Sequence, residues 1–413
     1  MTVAAVSLWG RQVGAISDAD GLPAFEYHPD WLASGRSISP IHLPLEKGVF
    51  AFPELRRQEA FEGLPGVFAD SLPDRFGNRV IQAWLERQSP PIASISAAEK
   101  LLYMGHRAMG ALEYQPARTM QDPTPSPGLE LGALVEQARQ IIQGQVASRL
   151  NEIMAAASSA GGVRAKALLG WNRNTDEVIA NQAELPPGFE HWIFKFDGMG
   201  DDGRPQHWCR LEYAYYLMAR AAGITISEST LVRQGELAHF ATRRFDRSAA
   251  GKVHAHSLCG LQHADYNQPN VWSYEMYLRS CLKLGLGMDE LGEAWRRMVF
   301  NVLARNQDDH SKNFSFLLDE GAEDWRLAPA FDLTHANGAG WTRTHQLSVN
   351  GKFQGMGRDD LQAVADLFGI RRWRDILAQV HEALAKWPEF AGRAGLDGSV
   401  IESVAAEHRS FPA

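Results

Sequence analysis

The stretch Asn306-Gln-Asp-Asp-His-Ser-Lys-Asn313, followed by Phe331-Asp332-Leu333, constrains this chain more than any other feature. An aspartate, four residues, then an asparagine is the spacing by which a phosphoryl-transfer loop sets a base beside an acceptor hydroxyl and an amide oxygen beside Mg²⁺; a later aspartate completes the metal site. Asp308 stands at that spacing from Asn313, and Asp309 does not. Such a loop needs a rigid element in front of it. Leu291, Trp295, Met298, Val299, Val302 and Leu303 recur at helical spacing and predict an amphipathic helix that ends just before Asp308.

The rest of the chain has room for a large fold around that loop. Its 413 residues, 45% hydrophobic and 22% charged, are ordinary for a soluble enzyme of two or three domains. A net charge of −8 argues against binding nucleic acid unaided, because neutralising phosphates needs a positive face. Cys209, Cys259 and Cys281 are odd in number and far apart, with no C-x-x-C, so neither a disulfide framework nor a zinc knuckle is expected and a reducing cytoplasm suits them. The N-terminus lacks a basic region ahead of a long apolar run, and no segment approaches the ~18 apolar residues of a membrane span.

Residues 1–118 read as a β-rich subdomain. Ala4–Trp9 and Val49–Phe52 are short apolar runs between turns, and Met109–Pro116 looks like a closing strand. One helix interrupts them: Ser71-Leu-Pro73-Asp74 supplies the cap, and Phe76, Val80, Trp84 and Leu85 carry the periodicity to about Gln88. Residues 119–150 form a linker and a helix near 129–144. The three prolines of Asp122–Gly128 mark the boundary, since that stretch cannot pair as a central strand. Residues 151–395 read as the catalytic domain. His191–Phe196 is a strand alternating around Lys195, Leu211–Ala222 a helix, Phe240–Phe245 a strand, and Asp359–Trp387 a helix that Pro388 stops. Residues 396–413 form a tail.

Phosphoryl transfer needs positioning and charge neutralisation: a lysine on the phosphates, carboxylate and amide oxygens on Mg²⁺, and a base toward the acceptor hydroxyl. The chain offers these parts in order. The turn at Gly161 and Gly162 lets backbone N–H groups approach phosphate. Lys195 sits mid-strand among apolar neighbours and needs an anionic partner, for which Glu212 on the next helix is the candidate. Asp308 then serves as base, with Asn313 and Asp332 holding the metal. Singly, each has a plainer reading: a Gly-Gly turn is usually a loop, a strand lysine usually snorkels, and an Asp-rich helix end usually caps. His310 alone reads as a structural histidine and Lys312 as a solvated one. It is the ordered set that points to phosphoryl transfer.

With these residues in view the chain resembles the HipA family of serine/threonine kinases, the toxin halves of bacterial toxin–antitoxin pairs. The resemblance is carried by Gly110–Pro116, Gly161-Gly-Val-Arg-Ala-Lys166, Arg244-Phe-Asp-Arg247, Asn306–Phe314 and Leu327-Ala-Pro-Ala-Phe-Asp-Leu333. It implies an α+β, protein-kinase-like two-lobed fold, with an N-terminal β-rich subdomain and a largely helical C-terminal lobe. It also implies ATP and Mg²⁺ as cofactors, a protein substrate, and a helix-turn-helix antitoxin (HipB-like) through which alone the toxin meets DNA. Carried over by motif, Gly161, Gly162, Val163, Arg164, Ala165 and Lys166 line the phosphates and Lys195 contacts them. Arg243, Arg244 and Phe245 lie at the adenine edge, while His310, Ser311, Lys312, Asn313, Phe331 and Asp332 complete the site around the catalytic Asp308. Ser159 aligns with the serine that relatives autophosphorylate, and some relatives phosphorylate aminoacyl-tRNA synthetases. The departures are Arg305-Asn-Gln-Asp308 in place of His-Arg-Asp, the lack of a glycine after Asp332-Leu333, and Val163-Arg164-Ala165 within the phosphate loop. Three rival readings stand beside this one. They are a metal-dependent phosphohydrolase built on Asp308-Asp309-His310, a kinase-shaped module without catalysis that assists a DNA-binding repressor, and a small-molecule kinase.

Overall fold

A computed structural model of the chain describes residues 2–19, 21–87, 92, 94–116, 130–145, 153, 156, 164–180 and 184–411. The proline-rich boundary at 122–128, Ser159 and the turn Gly161–Val163 lie outside them. The chain divides into two units, residues 1–209 with 232–256, and residues 210–231 with 257–413.

The first unit opens with an antiparallel sheet made of β1 (Thr2–Leu8), β2 (Arg11–Ala19), β3 (Leu22–Tyr27), β4 (Val49–Ala51) and β5 (Leu112–Gln115), in the order β4-β3-β2-β1-β5. Ala4, Val6 and Leu8 alternate into its core, as a sheet with one packed face requires. Among the described residues two longer helices accompany it where one was expected, besides the single helical turns Pro29–Leu32 and Gly66–Ala69. Ala97–Met104 is capped by Ser96, whose hydroxyl accepts from Glu99 N while the Glu99 carboxylate accepts from Ser96 N. In the other, Arg75–Leu85, the cap is Asp74 rather than Ser71, its Oδ1 accepting from Gly77 N at 2.7 Å. Ser71 is unavailable because its hydroxyl takes the Tyr114 OH at 2.8 Å.

A second antiparallel sheet follows in the order β7-β6-β8-β10-β9, with β6 at Lys166–Asn172, β7 at Glu177–Ala180, β8 at Glu190–Lys195, β9 at Ser229–Gln234 and β10 at Leu237–Arg243. β8 does not alternate. Trp192 to Lys195 are all buried, the mark of a strand covered on both faces. The helices Arg75–Leu85 and Leu131–Ile142 supply Phe76, Val80, Leu134 and Ala138 to one core with Leu169, Trp192 and Phe194.

The second unit is largely helical. Its core helix Met288–Leu303 buries Leu291, Trp295, Met298, Val299 and Val302. The final third holds Arg358–Leu367, Trp373–Ala385 and Trp387–Ala394, three helices where periodicity suggested one. Gly369, at φ +67°, breaks the first from the second. Pro388 does not stop a helix; it sits in the first turn of one, where a missing N–H costs no helical hydrogen bond. Residues 398–407, expected in the tail, form a further helix. Among the described residues no helix is long and apolar enough to cross a membrane.

Within the first unit, residues 244–256 strap the two sheets together. Arg244, fully buried, binds Asp246 through Nε (2.9 Å) and Nη2 (2.7 Å); Arg247 adds a bond to the same carboxylate and one to Gly110 O. Gly110 N donates to Asp246 at 2.7 Å. Further along, His254 meets Ile38 O, and Ser39, His256 and Asp70 form a hydrogen-bonded row at 3.0 and 2.8 Å. That row has the order of a hydrolase triad, but Ser39 is 1% exposed and offers a substrate no approach, so it is a structural tie. Burial would raise the Asp246 carboxyl, yet Arg244 and Arg247 hold it well below the usual carboxylate range. Its stabilisation is therefore present above the ordinary carboxyl pKa and lost as pH falls through the depressed one. Asp246→Asn is expected to cost about 3–5 kcal/mol in denaturant unfolding, because two buried guanidinium groups lose their counter-charge, and to flatten the acid limb of stability against pH.

Candidate active site

The loop at 304–314 leaves the core helix at Ala304 and turns sharply at Arg305, whose φ is +59°. Ala336 N donates to Arg305 O and Gln307 N to Ala336 O, so the loop is laced to the segment just past Asp332. Arg297 pins the same segment from the core helix through Ala328 O at 2.9 Å. Backbone bonds thus bring together residues far apart in sequence.

The two adjacent aspartates are treated in opposite ways. Asp309 is 1% exposed and fully engaged: Tyr274 OH and His345 Nδ1 donate to its Oδ2 and Gln346 N to its Oδ1, all at 2.7 Å. The network continues inward, with Asn301 Nδ2 donating to Tyr274 and Asn306 Nδ2 to Asn301 Oδ1, both at 2.9 Å. Asp308 points out, its side chain 42% exposed; Trp341 Nε1 donates to its Oδ1 at 3.0 Å and His310 Nε2 lies 3.9 Å from the same oxygen. Desolvation raises its pKa, with Asp332 and Asp309 adding to the rise against His310 and the Trp341 hydrogen bond, and the net shift is upward. Asn313 Nδ2 donates to the Asp308 carbonyl at 2.8 Å, which turns the amide oxygen the other way. Asn313, Asp332, Asn306 and Asp309 line one hollow of about 10 Å³. Asp332 stands at φ +53°, a left-handed conformation that aspartate tolerates better than most residues. An amide oxygen and a carboxylate are hard donors of the kind Mg²⁺ takes when phosphate oxygens complete its shell.

Of the other residues expected in this half, Ser311 commits its hydroxyl to Ala264 O at 2.6 Å, and His310 stacks its ring near Tyr266, 5.2 Å between centroids. Lys312 and Phe331 are half-buried beside them.

The first unit, taken by itself, holds the cationic candidates. Lys166 and Lys195 are direct partners across β6 and β8, and Phe240 faces Lys195 across β10, its ring 5.7 Å from the ammonium. Both lysines are buried. Lys166 Nζ lies 3.9 Å from Asp74 Oδ2, an acid that sequence reasoning credited only to a helix start. Arg164 lies over the Trp208 ring and Ala165 is buried beside Lys166. Arg243 pairs with Glu190 at 3.0 Å on the surface and Phe245 is half-buried; the Arg244 guanidinium is spent on Asp246. Glu212 belongs to the other unit. Sequence reasoning also missed Trp341, His345 and Gln346, and the only signal for them was their nearness to Asp332.

Residues 4–115 match the HipA N-terminal domain family and residues 158–387 the HipA-like C-terminal domain family. The structure of Shewanella oneidensis MR-1 HipA, solved with HipB and its operator DNA, aligns over 98% of this chain and 95% of that one, with a TM-score of 0.69 and 16% identity. The Helicobacter pylori proinflammatory kinase CtkA aligns over 55% of this chain and 93% of its own, with a TM-score of 0.35 and 14% identity. A Sinorhizobium fredii protein named "Putative kinase Y4dM" is 30% identical over 158 residues, 34% of this chain, and the match spans 36% of that relative's length. The fold is that of the Shewanella HipA chain, and with both domain families matched in order, this chain belongs to the HipA family.

Proposed function

We propose that this chain is an ATP- and Mg²⁺-dependent serine/threonine protein kinase, the toxin of a toxin–antitoxin pair. The observation that carries the reading is the contrast between Asp309, consumed by three buried donors, and Asp308, exposed beside an asparagine and an aspartate that share one hollow. A structural aspartate is satisfied from within; a catalytic one keeps an oxygen for the substrate.

Asp308 orients the acceptor hydroxyl and takes its proton as the phosphoryl group is transferred. Asn313 and Asp332 would hold the metal, which when bound to ATP neutralises charge developing on the phosphoryl oxygens. Lys166 and Lys195 face the phosphates, with Asp74 as a counter-ion to Lys166, and the glycines of the sequence Gly161-Gly162 are the candidates for backbone N–H donors. The partner is a HipB-like antitoxin, as in the Shewanella complex, and it carries the DNA contact that a chain of net charge −8 is unsuited to make alone. Three cysteines, none in a disulfide among the described residues, suit a cytoplasmic toxin acting on a cellular protein.

Radiolabelled ATP with a candidate acceptor protein tests the reading. Asp308→Asn is expected to lower phosphoryl transfer by ~10²-fold or more with its melting temperature kept. Asp309→Asn should lose about 1–3 kcal/mol of stability, since the amide turns a donor toward buried donors. Equal turnover in wild type and Asp308→Asn would end the assignment.

Titrating nucleotide with and without Mg²⁺ separates the metal ligands. Asn313→Ala and Asp332→Ala should both weaken Mg²⁺-ATP binding, Asp332→Ala more, because it removes a formal charge from the cation's shell. Unchanged affinity in both would place the metal elsewhere.

Ser159 stands two residues before the glycine turn, where a phosphoserine's nearly two negative charges would repel ATP phosphates and seek Arg164 or Lys166. After incubation with Mg²⁺-ATP, mass spectrometry should find phosphate on Ser159 of wild type and on no serine of Asp308→Asn. Modification of Ser158 alone would overturn this regulatory step.

A further inference from the structure

Trp341 lies in a short turn, Trp341–Arg343, and is 40% exposed, so apolar burial is a weak reason for its place. Polar ties hold it instead. Gln346 Nε2 donates to Trp341 O at 2.7 Å and to Thr344 O at 3.0 Å, and Gln307 Nε2 donates to Arg343 O at 3.3 Å. Thr344 Oγ1 meets Asn270 Oδ1 at 3.1 Å. Gln346 is itself fixed, because its backbone N–H donates to Asp309 Oδ1 at 2.7 Å. A closed circuit results: Asp309 fixes Gln346, Gln346 fixes the Trp341 backbone, and the Trp341 indole returns to Asp308 Oδ1 at 3.0 Å. The buried aspartate sets the orientation of the exposed one beside it.

We propose that Trp341 is a positioning residue for Asp308, its indole N–H holding the carboxylate in the rotamer that presents the second oxygen to the acceptor hydroxyl. The inference rests on the kinase reading above. An exposed carboxylate on a single Cβ is otherwise mobile, and the His310 imidazole, 3.9 Å from the same Oδ1, would compete for that oxygen. An indole N–H is a donor with no second role; it neither gives up its proton nor accepts one, so it can orient a base without exchanging protons with it. The contact lies outside the Asn313 and Asp332 pair, so it acts on the acceptor side and not on nucleotide affinity.

Trp341→Phe keeps an aromatic ring and deletes the N–H. It is expected to lower kcat by about tenfold, the loss appropriate to one hydrogen bond to a charged group, while the KM for ATP and the melting temperature stay at wild-type values. In an Asp308→Ala background the same substitution should cost nothing further, because the group it positions is gone. Gln346→Met, which frees the turn without touching Asp308, should move kcat in the same direction. Independently of activity, the indole ¹⁵N–¹H resonance that Trp341→Phe removes from the NMR spectrum should shift in Asp308→Ala. Wild-type kcat in Trp341→Phe, an equal loss in the Asp308→Ala background, or an unmoved indole resonance would each overturn the proposal. Wild type that transfers no phosphate from Mg²⁺-ATP would instead remove the kinase reading, while the resonance still reports whether the contact exists.

Discussion

The buried Asp309 carboxylate is the interaction on which the loop at 304–314 and its surroundings depend. Removing a carboxylate from water costs several kcal/mol, and it persists only where donors replace the lost solvent. Tyr274, His345 and Gln346 do so, from the helix Tyr274–Lys283 and from the segment 345–346. Each such bond to a charged group is worth about 1.5–3 kcal/mol, enough together to offset the desolvation and to fix three pieces of chain around one point. Because Asp309 faces in, its neighbour has no room there and faces out. The exposure of Asp308 is thus a consequence of Asp309, and Trp341 converts that exposure into a fixed direction.

The buried lysines of the first unit follow a different logic. Two lysines placed opposite one another on paired strands repel, and burial makes both costly, so the row of Lys166, Lys195 and Phe240 is an arrangement a stability argument alone would not produce. Asp74 meets part of that cost from the cap of a helix in the N-terminal subdomain. The strap at 244–256 then locks the same subdomain to the second sheet through Asp246 and its two arginines. Under the kinase reading these two lysines are the cations that would meet the ATP phosphates, and Asp74 of the N-terminal subdomain helps to hold one of them.

What was legible in the sequence was local. Helix Met288–Leu303 announced itself through a stripe of large apolar residues, because burial on one face imposes a period; β8 announced itself through an apolar run around Lys195, though burial on both faces replaces the alternation expected there. The order of lysine, Asp308, Asn313 and Asp332 was legible because phosphoryl transfer restricts which side chains serve. Asp74 was read as part of a helix start and turns out to be its cap, but its second role, beside Lys166, lies far away in sequence, where no period reaches. The C-terminal helices merged into one because the helical pattern was carried across Gly369, whose φ of +67° separates the first from the second, and because Pro388 was read as a stop where it opens the next helix. Arg244 stood within a motif, and its buried pairing with Asp246 is visible only in the fold.

The side chains that make up the candidate site are distinguished by what the fold leaves undone. Asp309, Ser311 and Arg244 have spent their polar atoms on the protein; Asp308 keeps an oxygen beyond the Trp341 bond, and Asn313 has its amide nitrogen anchored so that the oxygen is directed. Asp332 accepts a left-handed backbone that costs roughly 1–2 kcal/mol for an ordinary L-residue and less for an aspartate. Under the kinase reading a cation would draw on Asn313 and Asp332 and a substrate hydroxyl on Asp308, and the rigidity of the surrounding network keeps those groups in register.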